Sequence, residues 1–284
     1  MKVIVITGAS SGIGAELALK AAANGYSVAI CARRKEKLES VQQSIENIGG
    51  KCFMMQADIS IKEQAEQFIH NVISHYGRID ILVNNAGRGN LASVEDTTQE
   101  QLLSIFGVNV FSLWYITAPA LIQMKLQGYG HIINIASVAG TMGFPFNSAY
   151  VAAKHAVMGF TASLRAELAG SDIHATAVCP DGVITEWGTA TEGGEIGKLF
   201  MSGIRESRSI AREKGIGLAP LAAMITANNV ADIILQTAEF PPEHDIYTHA
   251  GTHERAMEFA ENRWKAEQKM LALYLGMQKS YSQS

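Results

Sequence analysis

Cysteine is scarce in this chain. There are three among 284 residues, Cys31, Cys52 and Cys179, each in apolar surroundings and none in C-x-x-C spacing. An odd number without a pairing pattern excludes a disulfide framework and a zinc-thiolate site, and implies reduced, buried thiols in a cytoplasmic protein. The eight histidines show no ligand spacing, so no metal is expected. A basic excess is also missing. The formal net charge is −4 and the sequence pI is near 6.1, whereas nucleic-acid binders usually carry the opposite bias. No run approaches the roughly 18 apolar residues of a spanning helix. The nearest, GLAPLAAMITA at 217–227, is short and contains Pro220. The opening MKVIVITGAS is too short in apolar residues for a secretory core of about 7–15 and is expected to be a strand. Neither nucleic acid nor membrane is therefore expected as a partner. Internal repeats, low-complexity tracts and linkers are absent too.

What the chain has is alternation. Short apolar runs read as strands: 2–7, 27–32, 51–58, 79–86, 130–137, 173–180 and, last, 245–250. Most are apolar throughout, as strands of a parallel sheet covered on both faces must be. Between them lie helical patterns. The stretch 14–25 places Leu17, Ala21 and Ala22 on one stripe and ends in Asn24-Gly25. The stretch 60–77 starts with Ser60 and Glu63, a capping-box spacing. A long helix is expected over about 99–127 and another over 148–168.

The fold class expected is α/β: a single Rossmann-type, doubly wound parallel sheet of about seven strands, with helices on both faces and a C-terminal helical extension. Residues 1–251 form the main domain. Within it, 186–220 breaks the alternation and reads as an insertion over the site. Residues 252–284 form the extension, in which 252–276 reads as one amphipathic helix with Met257, Ala260, Trp264, Leu271 and Tyr274 on its apolar face.

In such sheets ligands bind beyond the carboxyl ends of the strands. VIVITGASSGIGAEL runs strand, loop, helix there, with Gly8, Gly12 and Gly14 as G-x-x-x-G-x-G. Glycines allow a tight turn, approach of a pyrophosphate to backbone, and packing of helix on strand. The helix start aims N–H groups at the phosphates.

The second strand ends at Ala32, near where an adenine ribose would lie. An NAD site places Asp or Glu there for the 2′-hydroxyl, but the first acid here is Glu36, already in the next helix. Arg33 and Arg34 stand at the turn instead, and an arginine fork suits a 2′-phosphate. Ser10 and Ser11 add hydroxyl donors. NADP(H) is expected in preference to NAD(H), with Lys35 and Lys37 left as solvated helix surface.

Tyr150 and Lys154 are four apart on one helix face. A nearby ammonium favours the phenolate and lowers the phenol pKa towards working pH, so the pair suits proton exchange with a carbonyl oxygen. Ser137 ends a strand thirteen residues earlier, where its hydroxyl could reach the same oxygen. LVNNAG ends another strand with Asn85, Ala86 and Gly87, small enough for close passage of a coenzyme. Asn109 lies inside the apolar FGVNVFSLWYITAP, which is costly without partners. It serves either a backbone irregularity, the chemistry, or both.

Together TGASSGIG, NNAG, Asn109, Ser137 with SVAG, and Tyr150-x-x-x-Lys154 resemble the short-chain dehydrogenase/reductase family, over about residues 1–250. The resemblance implies a tetrad. Tyr150 is the general acid in reduction, Lys154 lowers its pKa and holds the nicotinamide ribose, Ser137 orients the carbonyl, and Asn109 holds a relay water. It implies coenzyme contacts at the glycine loop including Ile13, at Asp58 and Ile59 along the adenine, and at Pro180, Val183 and Thr185 by the nicotinamide. Arg33 falls where NADP-preferring members carry a basic residue. It implies a small carbonyl or alcohol substrate, and a homodimer or homotetramer joined through the 99–127 and Tyr150 helices. Where the family has Pro-Gly-x-Val-x-Thr, this chain has PDGVIT, with Asp181 in the glycine place. Asp181 is read as a turn residue bonding its own backbone, or as a contact to substrate or carboxamide.

The function expected is NADPH-dependent reduction of a ketone or aldehyde. Met142, Phe144, Phe146 and Trp187 suggest an apolar or aromatic one. The alternatives are a 3-oxoacyl-carrier-protein reductase, whose relatives tend to stop soon after the last strand, and a non-catalytic dinucleotide sensor or scaffold.

Overall fold

The structure, a computed structural model, describes residues 1–189 and 191–283. Its first strand shows why the apolar runs are continuous. In β1 (Val3–Thr7) Ile4 and Ile6 face one core, while Val3 and Val5 face another. Alternate side chains of a strand point to opposite faces, so a sheet covered twice needs apolar residues at every position.

The other strands are β2 (Ser27–Ala32), β3 (Lys51–Gln56), β4 (Ile81–Asn84), β5 (Gly130–Ile135), β6 (Ile173–Cys179), β7 (Val183–Ile184), β8 (Ile225–Thr226) and β9 (Ile246–Tyr247). Seven form one parallel sheet in the order β3-β2-β1-β4-β5-β6-β9. β7 and β8 pair separately, a small sheet with no sequence forecast.

Helices α1 (Gly12–Ala23), α2 (Lys35–Asn47) and α8 (Ala227–Glu239) cover one face through Leu17, Leu38, Ile45 and Ile234. On the other lie α3 (Lys62–Tyr76), α5 (Ser112–Gln127) and α6 (Ser148–Glu167), which bury Phe68, Ile69, Ile116 and Leu164, while α4 (Gln99–Phe106) packs on α6 through Ile105. Each such side chain taken from water contributes about 1.5–3 kcal/mol. The order reverses between β1 and β4, whose outward crossovers part above their carboxyl ends and open a cleft there.

Three expectations need correction. The capping box at Ser60 and Glu63 does not form. Ser60 gives its hydroxyl and N–H to Asp58 Oδ1 (2.6 and 3.0 Å), and the helix starts at Lys62 without a side-chain cap. Capping boxes form instead at Thr98–Gln101 and Thr226–Asn229.

The 99–127 helix is interrupted by a π-helical turn, Gly107–Phe111. Taken whole, Gln99–Gln127 is 29 residues and apolar enough to cross a membrane, although half of its most apolar stretch is buried within the fold.

The 252–276 segment is two helices, α9 (Thr252–Glu261) and α10 (Arg263–Tyr281). Asn262 breaks them at φ −150°, ψ 83° and caps α10 through Lys265 N. The break resets the helical phase. Met257, Ala260 and Trp264 are therefore exposed, and the buried stripe is Ala256, Phe259, Ala266, Met270, Leu273 and Met277.

The 186–220 insertion is mostly helix, α7 (Ile196–Lys214), and packs against α10. The two backbones touch where Gly203 meets Gly276. A Cβ on Gly276 would lie only 3.0 Å from Ser207 N, and one on Gly203 2.5 Å from Met277 Cγ. With Val138 and Met142 the pair closes an apolar cluster of its own, apart from the sheet.

Candidate active site

The cleft above β1 and β4 holds a cavity of about 1120 Å³. Every site residue named from the sequence lines it except Gly14 and Asn109. Its floor is backbone against backbone. Gly8 has φ +70°, and a Cβ there would come within 2.7 Å of Ala86 Cα. A Cβ on Gly14 would meet Asn85 Nδ2 at 2.5 Å. Asn85 locks the approach by donating to Thr7 O (2.9 Å), while Thr7 Oγ1 accepts the N–H groups of Asn85 and Ala86 (3.0 and 3.1 Å). No side chain fits between, and the first N–H groups of α1 face the cleft with no capping side chain on Ser11. Such a floor fits a pyrophosphate.

The basic cluster divides differently from the expectation. Arg34 is the residue folded over the loop, donating through Nε and Nη2 to Ser10 Oγ (3.2 and 3.1 Å) and through Nη2 to Ser11 Oγ (2.5 Å). Arg33 also lines the cavity but points to Asp58, at 3.9 Å. Lys35 pairs with Glu39 one turn on, as a solvated helix residue does. Lys37 does not stay free on the helix: it donates to both oxygens of Glu186 (2.8 and 2.9 Å), a residue 149 positions away. Asp58 holds the turn after β3 through Ser60, and Ile59 follows it along the cavity wall.

At the other end, β5 delivers Ser137 and α6 delivers Tyr150 and Lys154. Asn90 sets the start of α6 by accepting the Tyr150 N–H at 3.2 Å. Nothing in the sequence marked Asn90 beyond its place just after NNAG. Ser137 Oγ accepts from Ala139 N (3.1 Å), and the Tyr150 ring packs against Trp187, centroids 5.0 Å apart. Lys154 Nζ donates to Ile135 O (2.7 Å) and lies 5.6 Å from the Tyr150 ring centroid.

Asn109 sits on the π turn. Its Nδ2 donates to Ile105 O (2.8 Å), a carbonyl of the helix just before the π turn, and to Arg88 O (2.9 Å) in the loop after β4, tying the two together. Its Oδ1 is buried without a partner. That oxygen is 2.7 Å, and Lys154 Nζ 3.5 Å, from the point a Cβ on Gly87 would occupy. Only glycine leaves that gap open, and it has the polar lining a bound water needs.

The proton affinities depart from the simple expectation. Burial pushes the Tyr150 phenol up to about 12, and the hydrogen bond with Ser137 pulls the other way. The Lys154 ammonium, held on the Ile135 carbonyl, does not offset that burial before substrate and coenzyme arrive. Burial in turn pushes Lys154 down to about 8. Tyr150 is thus a held proton and Lys154 a cation ready to lose its own.

Asp181 lines the cavity but does not bond its own backbone as a turn residue would. Its carboxylate is ion-paired to Arg255 of α9, and both are largely buried. Arg255 also donates to Pro220 O, and Thr252 Oγ1 lies 3.4 Å from Asp181 Oδ2. The residue in the glycine place is therefore a crosslink between the loop after β6 and the C-terminal helices. Those helices reach further: Tyr274 donates to Gly143 O (3.0 Å), Tyr281 stacks on Phe146 at 3.9 Å, and Met277 enters the cavity wall. Phe146, at φ +60°, and Met142, fully buried, are packing residues and not part of the cavity wall. Phe144 and Trp187 do line it, joined by Ile196, Phe200 and Met201 of α7. Among the described residues no cluster could hold a metal ion.

Residues 2–194 match the family model of the short chain dehydrogenases. The chain is 36% identical over 185 residues to a 3beta-hydroxysteroid dehydrogenase of Mediterraneibacter gnavus, covering 65% of this chain and 67% of that one. It is 37% identical over 188 residues to the 3-oxoacyl-(acyl-carrier-protein) reductase of Staphylococcus aureus, covering 65% and 76%. A solved short chain dehydrogenase/reductase of Burkholderia phymatum, in complex with NAD, superposes with a TM-score of 0.78 at 25% identity, over 92% of this chain and 94% of that one.

Proposed function

We propose that this chain, which belongs to the short-chain dehydrogenase/reductase family, reduces a ketone or aldehyde to an alcohol with NADPH and runs in reverse as an alcohol dehydrogenase. Membership makes it an oxidoreductase of carbonyl and alcohol groups that binds a nicotinamide dinucleotide. The observation that carries the finer reading is the meeting of Ser137, Tyr150 and a buried Lys154 at the end of a cleft floored by the glycine loop.

The dinucleotide supplies the hydride. Ser137 Oγ holds the substrate oxygen, and Tyr150 gives that oxygen its proton. Lys154 brings the charge that eases this transfer, and Asn109 Oδ1 with Lys154 Nζ holds a water through which the proton is replaced. Trp187 and the helix pair keep bulk water from the carbonyl.

Arg34, with Arg33 beside it and no acid at Ala32, supports NADP(H). The walls from Phe144, Trp187, Phe200, Met201 and Met277 support an apolar or aromatic ketone. A hydroxysteroid, the substrate in the name of the Mediterraneibacter gnavus relative, is of that apolar kind. A 3-oxoacyl-carrier-protein reductase is the second reading, favoured by the Staphylococcus aureus relative. A panel of aromatic ketones, a 3-oxosteroid and a 3-oxoacyl thioester, each with NADPH and NADH, separates the readings. Arg34→Asp is expected to weaken NADPH by about ten- to a hundred-fold, the range of a lost charge-assisted hydrogen bond, and NADH far less. An unmoved preference rejects the NADP reading, and a panel without turnover rejects the enzyme reading in favour of a sensor.

We also read the chain as a cytoplasmic homodimer or homotetramer. Its cysteines are unpaired. Leu102, Leu103, Phe111, Trp114, Ile122 and Leu126 stand exposed along α4–α5, beside α6. Trp114→Glu is expected to lower the sedimenting mass to that of a smaller assembly. An unchanged mass places the interface elsewhere.

A further inference from the structure

The ion pairs of Glu186 are unexplained by the reaction. Glu186 directly follows Thr185 on the segment that covers the cleft, and Thr185 Cγ2 lies 3.4 Å from the position of a Cβ on Gly12, so this segment rests on the glycine loop. From there the Glu186 carboxylate crosses to the far side. Oε2 accepts from Arg34 Nη1 (3.2 Å) and Lys37 Nζ (2.9 Å), and Oε1 accepts from Lys37 Nζ (2.8 Å). The rest of the Arg34 fork is taken by Ser10 and Ser11. The carboxylate therefore completes the coordination of an arginine whose other partners are hydroxyls of the phosphate loop. Three cations, Arg33, Arg34 and Lys37, converge here. Two acids face them, Asp58 on Arg33 and Glu186 on the other two.

We propose that Glu186 is an internal counter-anion that occupies the cations of the coenzyme ribose-phosphate site, so that a 2′-phosphate must displace it. This rests on the reading of Arg34 as a 2′-phosphate ligand. It makes Glu186 a specificity-determining residue and enlists Lys37 as a second phosphate cation. A nucleotide with a free 2′-hydroxyl brings no charge to this spot and leaves the Glu186 pairs in place. One with a 2′-phosphate brings close to two negative charges against one carboxylate and wins the cations, less the cost of parting them from Glu186. Glu186 thus narrows the margin by which NADP(H) is preferred over NAD(H). The side chains are about half exposed, so the effect is modest and falls with salt.

The test uses the full chain and four probes: NADPH, NADH, 2′,5′-ADP and 5′-AMP. Dissociation constants are measured for wild type, Glu186→Gln and Glu186→Gln with Lys37→Gln, at low and high salt. Glu186→Gln is expected to tighten NADPH and 2′,5′-ADP by about three- to ten-fold at low salt, less at high salt, with NADH and 5′-AMP within about two-fold. Adding Lys37→Gln is expected to remove the gain. If Glu186→Gln leaves the 2′-phosphorylated probes unchanged, or weakens them, the proposal fails: Glu186 is then idle or a strap that holds bound coenzyme. If wild type binds 2′,5′-ADP no better than 5′-AMP, the 2′-phosphate reading itself fails, and the proposal goes with it.

Discussion

Replacing Tyr150 by Phe is expected to lower kcat for carbonyl reduction by about 10²–10⁴-fold, the usual contribution of a positioned proton donor. The substitution removes one oxygen. The ring stays in its buried place beside Trp187, and the helix start stays on Asn90, which binds backbone only. Thermal unfolding should therefore change little while turnover falls. A loss under about ten-fold would leave Tyr150 outside the chemistry.

The pH profile gives a second view of the same pair. The phenol, pushed up to about 12, keeps its proton through the working range. Lys154 titrates first, near 8. The reduction kcat/KM is therefore expected to be flat below about 8 and to fall above it as the ammonium is lost. Lys154→Met removes that inflection if the assignment is right. Stability moves in the opposite direction. An unfolded lysine still binds its proton up to about 10.4 while the folded one has released it, so unfolding free energy rises with pH between about 8 and 10.4.

Arg255→Met is expected to destabilise the protein by about 3–5 kcal/mol, because it leaves the largely buried Asp181 carboxylate without its partner. Denaturant unfolding measures the loss. Removing both charges, Asp181→Gly with Arg255→Met, should recover most of it, since the uncompensated charge and not the missing pair carries the cost. A single-variant loss below about 1 kcal/mol would mean that water reaches Asp181 in solution. The coenzyme KM should rise in Arg255→Met as well, because Asp181 sits between Pro180 and Val183 in the cavity wall.

The sheet was legible because its demand is local. A strand covered on both faces must be apolar at every position, and 27–32 in the sequence is Ser27–Ala32 in the structure to the residue. Tyr150 and Lys154 were legible because four residues is one helical turn. The failures share a different cause. Asp181 looked like a turn residue because Arg255, 74 positions on, gives no local sign of it. Lys37 looked solvated for the same reason. The phase of the C-terminal stripe was misread because Asn262, an ordinary polar residue in a helical pattern, breaks the helix. The depressed Tyr150 pKa was expected from spacing alone, yet spacing says nothing about burial, which dominates here.

The contact of Gly203 with Gly276 has a consequence for how substrate range can change. At that approach neither α7 nor α10 can slide or turn past the other, so the roof of the cavity moves as one piece. The family match ends at residue 194, before both. A graft of α7 alone onto a relative would carry one half of a fitted joint. The unit of exchange for altering specificity is the pair, taken from α7 to Tyr281 with Asn262 and Arg255 included.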